Sequence, residues 1–172
     1  MEEKKPIDFH QYRANVKKKR FENKKFFDNA QRKRPKNIDS HIQDLHEEVF
    51  ENTNCLDCGN CCKTTPSMVN NRDVKRIAKY LGLTQGEFSE KYLAVDEDDD
   101  TVFRITPCVF LDKENNECTI YEVRPKACRE YPHTDEHKVS LDIMRRNVGV
   151  CPAVYQITEK LKRVYIDELK KK

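Results

Sequence analysis

Four cysteines stand within eight residues, in the stretch Asn54-Cys-Leu-Asp-Cys-Gly-Asn-Cys-Cys-Lys63. Cys55, Cys58 and Cys61 repeat at Cys-x-x-Cys spacing, which lets neighbouring sulfurs point at one centre without unusual backbone. Gly59 can take the positive φ that such a tight turn often requires. Cys62 follows Cys61 directly, and adjacent residues do not easily ligate one tetrahedral ion, so Cys62 is expected to face another centre or another edge of a cluster. Such a stretch constrains the fold strongly, because whatever surrounds it has to close around a metal.

The rest of the thiol supply fits that expectation. Cys108, Cys118 and Cys128 follow at intervals of ten residues, and Cys151 precedes Pro152, for a total of eight. Eight thiols make two sets of four, or one larger cluster with spares. Cys108 and Cys118 flank the polar turn Lys113-Glu-Asn-Asn, so a hairpin would bring them together. Cys128 lies on a short helical stretch whose Arg124, Lys126 and Arg129 can offset thiolate charge, as Lys63 can beside the knuckle. Zinc and an iron–sulfur cluster compete for this set. Four thiolates suit structural zinc. The Cys55/Cys58/Cys61 spacing also matches the first three ligands of ferredoxin-type clusters, whose fourth cysteine precedes a proline as Cys151 does, although it comes ninety residues later here. His133 and His137 could replace a thiolate if helical; a polar turn is the simpler reading.

Composition decides the redox compartment. Hydrophobic and charged residues each make up 37% of the 172 residues, a thin apolar supply that calls for a staple. The N-terminal residues show no apolar signal region, and no run approaches the roughly 20 apolar residues of a membrane span. A cytoplasmic chain is therefore expected, with reduced thiols acting as ligands rather than as disulfides. With four glycines and no G-x-x-x-x-G-K, G-x-G-x-x-G or G-x-S-x-G, neither nucleotide binding nor serine hydrolysis is indicated.

Charge divides the chain. Residues 1–36 hold 13 Lys/Arg against 5 Asp/Glu, a balance of +8, while the remainder stands at −5. Residues 1–36 read as a basic N-terminal helical extension, its weak apolar stripe (Ile7, Tyr12, Val16, Phe26, Phe27) ended by Arg34-Pro35. A solvated helix packing one edge on the body is the simpler account. The functional alternative is a nucleic-acid contact through Lys17-Lys18-Lys19-Arg20 and Arg32-Lys33-Arg34.

Residues 37–172 read as the cysteine-cluster domain. Helices are expected after the cap residues Asn37–Ser40 through Glu51, from Asp73 to a stop at Gly82, after the Thr84–Glu87 capping box, over Val123–Pro132 and from Pro152 to Leu169. Strands are expected at Thr101–Ile105, Cys108–Asp112, Cys118–Tyr121 and Lys138–Asp142. The acidic run Asp96–Asp100 lacks the spacing of a calcium loop and reads as a solvated turn. The fold class is α+β, a small and mainly helical domain with a short antiparallel β-hairpin around a cysteine-rich metal site.

Four motifs in fixed order carry a resemblance: Cys55 to Cys62, Cys108 to Leu111, Cys118 to Tyr121, and Arg124 to Pro132. Over roughly residues 50–155 the chain resembles the YkgJ-type cysteine cluster family, described as a zinc- or iron-chelating domain. The resemblance implies metal chelation by Cys55, Cys58, Cys61, Cys62, Cys108, Cys118, Cys128 and Cys151. A similar cluster occurs in the flagellin lysine methylase, which admits an iron–sulfur redox or protein-modifying enzyme. The main expectation is a non-catalytic or accessory metal-binding module that meets a protein partner.

Overall fold

The computed structural model describes residues 7–170, with side chains described as far as Tyr165. The first residues of the basic extension and the Leu169 side chain lie outside the described residues. The fold is α+β and mainly helical, and among the described residues its regular strands form one two-stranded antiparallel hairpin. No helix among them is long and apolar enough to cross a membrane. Two compact units divide the chain: a helical unit up to Asn54 and again from Pro132, and a cysteine unit over Cys55–Tyr131.

The helical unit contains α1 (Phe9–Lys18), α2 (Arg20–Lys33), α3 (Ile38–Phe50), α8 (Leu141–Asn147) and α9 (Pro152–Lys170). Asp8 caps α1 by accepting from the Gln11 amide. The single helix expected over the basic stretch is interrupted at Lys19, whose ψ of 8° departs from helical geometry. The i to i−4 bonds Lys19 N–Asn15 O and Asn23 N–Lys19 O still span the break, at 2.9 and 2.8 Å. Arg34 then takes a left-handed φ of 30° before Pro35 and ends α2.

The stripe Phe26, Phe27 and Ala30 of α2 is buried with Ile38 and Ile42 of α3 and with Val154, Ile157 and Leu161 of α9. Helical spacing on each segment puts these side chains on one face, and their burial contributes roughly 1.5–3 kcal/mol apiece. A charged pair sits at the edge of this core. Lys162 is buried, bonded to Glu22 and, at 2.9 Å, to Asn23 Oδ1, and its Nζ lies 2.5 Å from Glu159. Lys19 bonds the same carboxylate. Desolvation alone would raise the Glu159 carboxyl, but the two lysines outweigh it and hold it below the usual range.

Where a strand is expected at Lys138–Asp142, the chain instead starts α8. Ser140 accepts from the Ile143 amide as an N-cap, and Leu141 and Met144 follow at helical spacing on the buried side. Two residues of apparent alternation are too few to outweigh a cap and a helical period.

The cysteine unit contains α4 (Asn60–Thr64), α5 (Asn71–Tyr80), α6 (Gln85–Tyr92), β1 (Leu93–Val95), β2 (Thr101–Phe103) and α7 (Lys126–Glu130). Capping boxes open α5 at Asn70/Asp73 and α6 at Thr84/Glu87. β1 pairs with β2 through Leu93↔Phe103, Ala94↔Val102 and Val95↔Thr101. The acidic run is the turn between them, with Asp96 Oδ1 accepting from the Asp98 and Asp100 amides at 3.0 Å. The strands expected at Cys108 and Cys118 reduce to a single bridge, Leu111↔Cys118. Phe88, Phe103, Phe110 and Ile120 fill this unit's own core.

Candidate metal centre

Seven of the eight cysteines lie in the cysteine unit, and three backbone devices bring their segments together. The first is the knuckle itself. Cys55–Asp57 forms a 3-10 turn, closed by the Cys58 and Gly59 amides donating to Cys55 O at 3.1 and 2.8 Å. Gly59 then takes φ 55° and starts α4, which carries Cys61 and Cys62. The Asn60 amide points at Cys58 Sγ, 3.4 Å away, and Lys63 Nζ donates to Cys58 O at 3.1 Å. Amide and lysine supply positive charge where a thiolate would sit.

A clamp from the 112–117 turn is the second device. Asn116, itself at φ 59°, donates from Nδ2 to Leu56 O at 2.6 Å. Its side chain packs so closely on Gly59 that a Cβ there would meet Asn116 atoms at 3.0 Å. The same turn is tied by Asp112 N to Glu117 O at 2.8 Å and by the Leu111↔Cys118 bridge, so Cys118 and the clamp share one rigid loop. On the other side of that loop the Cys108 amide donates to Cys62 O at 2.8 Å.

The third device holds Cys128. Its thiol donates to Ser67 Oγ at 3.0 Å, five residues beyond Cys62, while Ser67 O accepts from the Phe103 amide of β2. The helix bearing Cys128 is short, and Pro125 precedes it. Its first amide, Lys126 N, lies 3.2 Å from both oxygens of Asp73, a carboxylate 1% exposed. Asp73 also accepts from Arg76 Nη2 at 2.6 Å, and that guanidinium reaches on to Arg124 O at 2.9 Å. The buried carboxylate of Asp73 and its half-buried partner Arg76, both on α5, therefore anchor the Arg124-Pro-x-x-Cys128 segment.

Electrostatically Cys62 is the hub. Its charge bears on Cys55 and Cys58 from the knuckle and on Cys108, Cys118 and Cys128 from the other loops. Cys61 Sγ lies 3.9 Å from Cys62 Sγ. That neighbour first, then Lys63, draws the Cys62 thiol down to about 7 against the opposing effect of burial. Burial pushes Cys55, Cys58, Cys108 and Cys118 up, and Cys128 up to about 11. Among the described residues no three of these sulfurs come within 4.8 Å of one another, so the donors are gathered from loops rather than collapsed on one point. Cys55 is exposed and the other six are half-buried.

Of the three cations expected to offset thiolate charge beyond the knuckle, Arg124 acts on Cys55 and Cys118. Its guanidinium lies 3.7 Å from the Tyr121 ring centroid. Lys126 instead pairs with Glu130 at 3.5 Å, and Arg129 donates to Arg124 O at 2.7 Å. Cys151 lies in the helical unit, packed against its apolar core. His41 bonds Tyr165 Oη at 2.5 Å, His46 bonds Thr134 at 2.7 Å, and His133 bonds Glu136 at 2.8 Å. Sequence reasoning placed Asp73 only as a helix start and gave no role to Asn116 or Ser67. Asn70 three residues before Asp73 is the one signal that was there to be used.

An all-sulfur donor set, held by backbone bonds and flanked by Arg124 and Lys63, fits a soft or borderline ion and disfavours magnesium or calcium. The comparisons agree with that chemistry. A family profile described as "Putative zinc- or iron-chelating domain" and named CxxCxxCC matches residues 54–152. An uncharacterized protein of Methanocaldococcus jannaschii is 33% identical over 85 residues, covering 46% of this chain and 44% of that protein. The match thus spans less than half the length of that relative. No solved structure matches.

Proposed function

The chain belongs to the CxxCxxCC family of zinc- or iron-chelating domains, and on that premise we propose that it is a non-catalytic metal-binding module whose ion organises the cysteine unit. The observation that supports this reading is that seven thiols are folded into one compact unit, Cys55–Tyr131, where Cys62 lies 3.9 Å from Cys61 and its charge bears on five of the others. Cys55, Cys58, Cys61 and Cys62 come from the knuckle and α4, Cys108 and Cys118 from the two sides of one turn, and Cys128 from α7.

Bound zinc or iron supplies cross-linking between these loops, and in an iron–sulfur form it supplies a redox centre as well. The residues of the chain do the rest. Arg124 and Lys63 lower the cost of gathering negative thiolates, the Asn60 amide orients Cys58, and the Asn116 clamp keeps the knuckle turn in its left-handed geometry. Burial pushes five of the other thiols, Cys55, Cys58, Cys108, Cys118 and Cys128, up, so metal uptake has to displace their protons, and affinity is expected to rise with pH.

Metal removal tests the structural role. Treatment of the full chain with a chelator under reducing, anaerobic conditions should raise amide hydrogen exchange across residues 55–131 while α3 and α9 keep their protection. If the metal leaves and exchange in 55–131 stays the same, the ion is not structural, and the iron–sulfur redox reading replaces this one.

A further inference from the structure

The basic stretch holds an aromatic ring that the core does not use. Phe26 and Phe27 are buried, 8% and 0% exposed, whereas Phe21 is 84% exposed. On α2 the buried stripe is Asn23, Phe26, Phe27 and Ala30. At 100° per residue Phe21 projects from the side opposite that stripe. Because the helical bonds bridge the interruption at Lys19, the residues one turn away on either side flank it: Lys17 and Lys18 before, Lys24 and Lys25 after. All four are exposed, as is Arg20. Lys24 shares Asp28, 2.5 Å away. Among the described residues Lys17, Lys18, Arg20 and Lys25 enter no ion pair. Phe21 therefore adds nothing to the core and leaves an aromatic face in water beside cations of which, among the described residues, only Lys24 is paired.

We propose that this face binds single-stranded nucleic acid, Phe21 stacking on a base while Lys17, Lys18, Arg20, Lys24 and Lys25 meet the flanking phosphates. A flat ring accepts any base, and cations one helical turn to each side match a backbone running past it. An anionic membrane is the less fitting occupant, since a surface-lying helix needs an apolar face and this one offers a single ring. The proposal does not depend on the metal centre.

Fluorescence anisotropy of the full chain with a labelled oligouridylate of about 12 nucleotides tests it, between about 50 and 200 mM salt. Binding should weaken steeply with salt. Phe21→Ala should weaken binding about tenfold with an unchanged salt dependence, since a stack is lost and no phosphate contact is. Lys17→Gln combined with Lys18→Gln and Lys25→Gln should flatten the log–log salt slope by about 2, at roughly 0.7 per phosphate. Circular dichroism should show all variants folded, because every replaced side chain is exposed. No binding at the lower salt overturns the proposal, as does full affinity in Phe21→Ala. Sedimentation with phosphatidylserine vesicles in the absence of oligonucleotide binding overturns it in favour of a membrane surface.

Discussion

Cys62→Ala is expected to cost the chain at least half of its bound metal, and Cys151→Ser is expected to cost none. Cys62 is the thiol whose charge bears on knuckle and distal cysteines alike, so under the proposed reading removing it costs the most donor capacity. Its backbone also receives the Cys108 amide, but that bond survives the substitution, which isolates the effect of the sulfur. Apparent binding energies of structural thiolate zinc sites are roughly 10–16 kcal/mol and are folding energy in domains of this kind. Loss of one donor should therefore destabilise the cysteine unit by about 3 kcal/mol or more. Cys151 packs against the apolar core of the helical unit, and exchanging its sulfur for oxygen should shift stability by only about 1 kcal/mol. Metal analysis and urea unfolding of the two variants beside the parent chain read both effects. Equal metal loss in both would put Cys151 inside the donor set.

The second large effect belongs to a residue with no sulfur. Asp73→Ala should destabilise the chain by about 2–3 kcal/mol, because a buried carboxylate's amide and guanidinium bonds are lost while Arg76, one-third exposed, can turn to water. Three groups lose their acceptor together: the Asn70 amide of the capping box, the guanidinium of Arg76, and the Lys126 amide. Since Lys126 opens the helix of Cys128, and Arg76 also holds Arg124 O, metal content should fall with stability. Asp73→Asn, which keeps an acceptor but loses the charge, should fall between the parent and Asp73→Ala. A change below about 1 kcal/mol in Asp73→Ala would show that the Arg124–Cys128 segment is held by something else.

Those two cases mark how far the sequence could be read. The thiols announce themselves by spacing, since Cys-x-x-Cys repeats have few other uses and sulfur is an obvious ligand. Helices with a strong period and a cap were equally plain: Thr84/Glu87 and the apolar face of α9 sit as expected. Asp73 could be placed as a helix start, but its reach across to Lys126 joins residues 53 apart in sequence, and no local pattern encodes such a contact. Asn116 looked like an ordinary turn residue. What makes it a clamp is the proximity of Gly59, again set by tertiary packing. The strands assigned at Cys108 and Cys118 failed for a related reason: β-rich composition there serves the aromatic core around Phe110 and Ile120, and the backbone pairs at one bridge only. β1 was missed because three residues following directly on α6 carry too little alternation to register.

The Phe21 face is a further instance. Composition showed the charge, and periodicity showed a stripe containing Phe26 and Phe27, but only the packed helix separates a phenylalanine that anchors from one that faces water.

The account stands on metal held by the cysteine unit, and anaerobic purification followed by elemental analysis for zinc, iron and acid-labile sulfide with an absorbance spectrum tests that most directly. At least one zinc or iron ion per chain is the predicted result, with sulfide and visible colour accompanying iron if the centre is a cluster. Protein that carries neither ion as purified, and takes up neither zinc nor iron with sulfide when its reduced thiols are offered them, would contradict it.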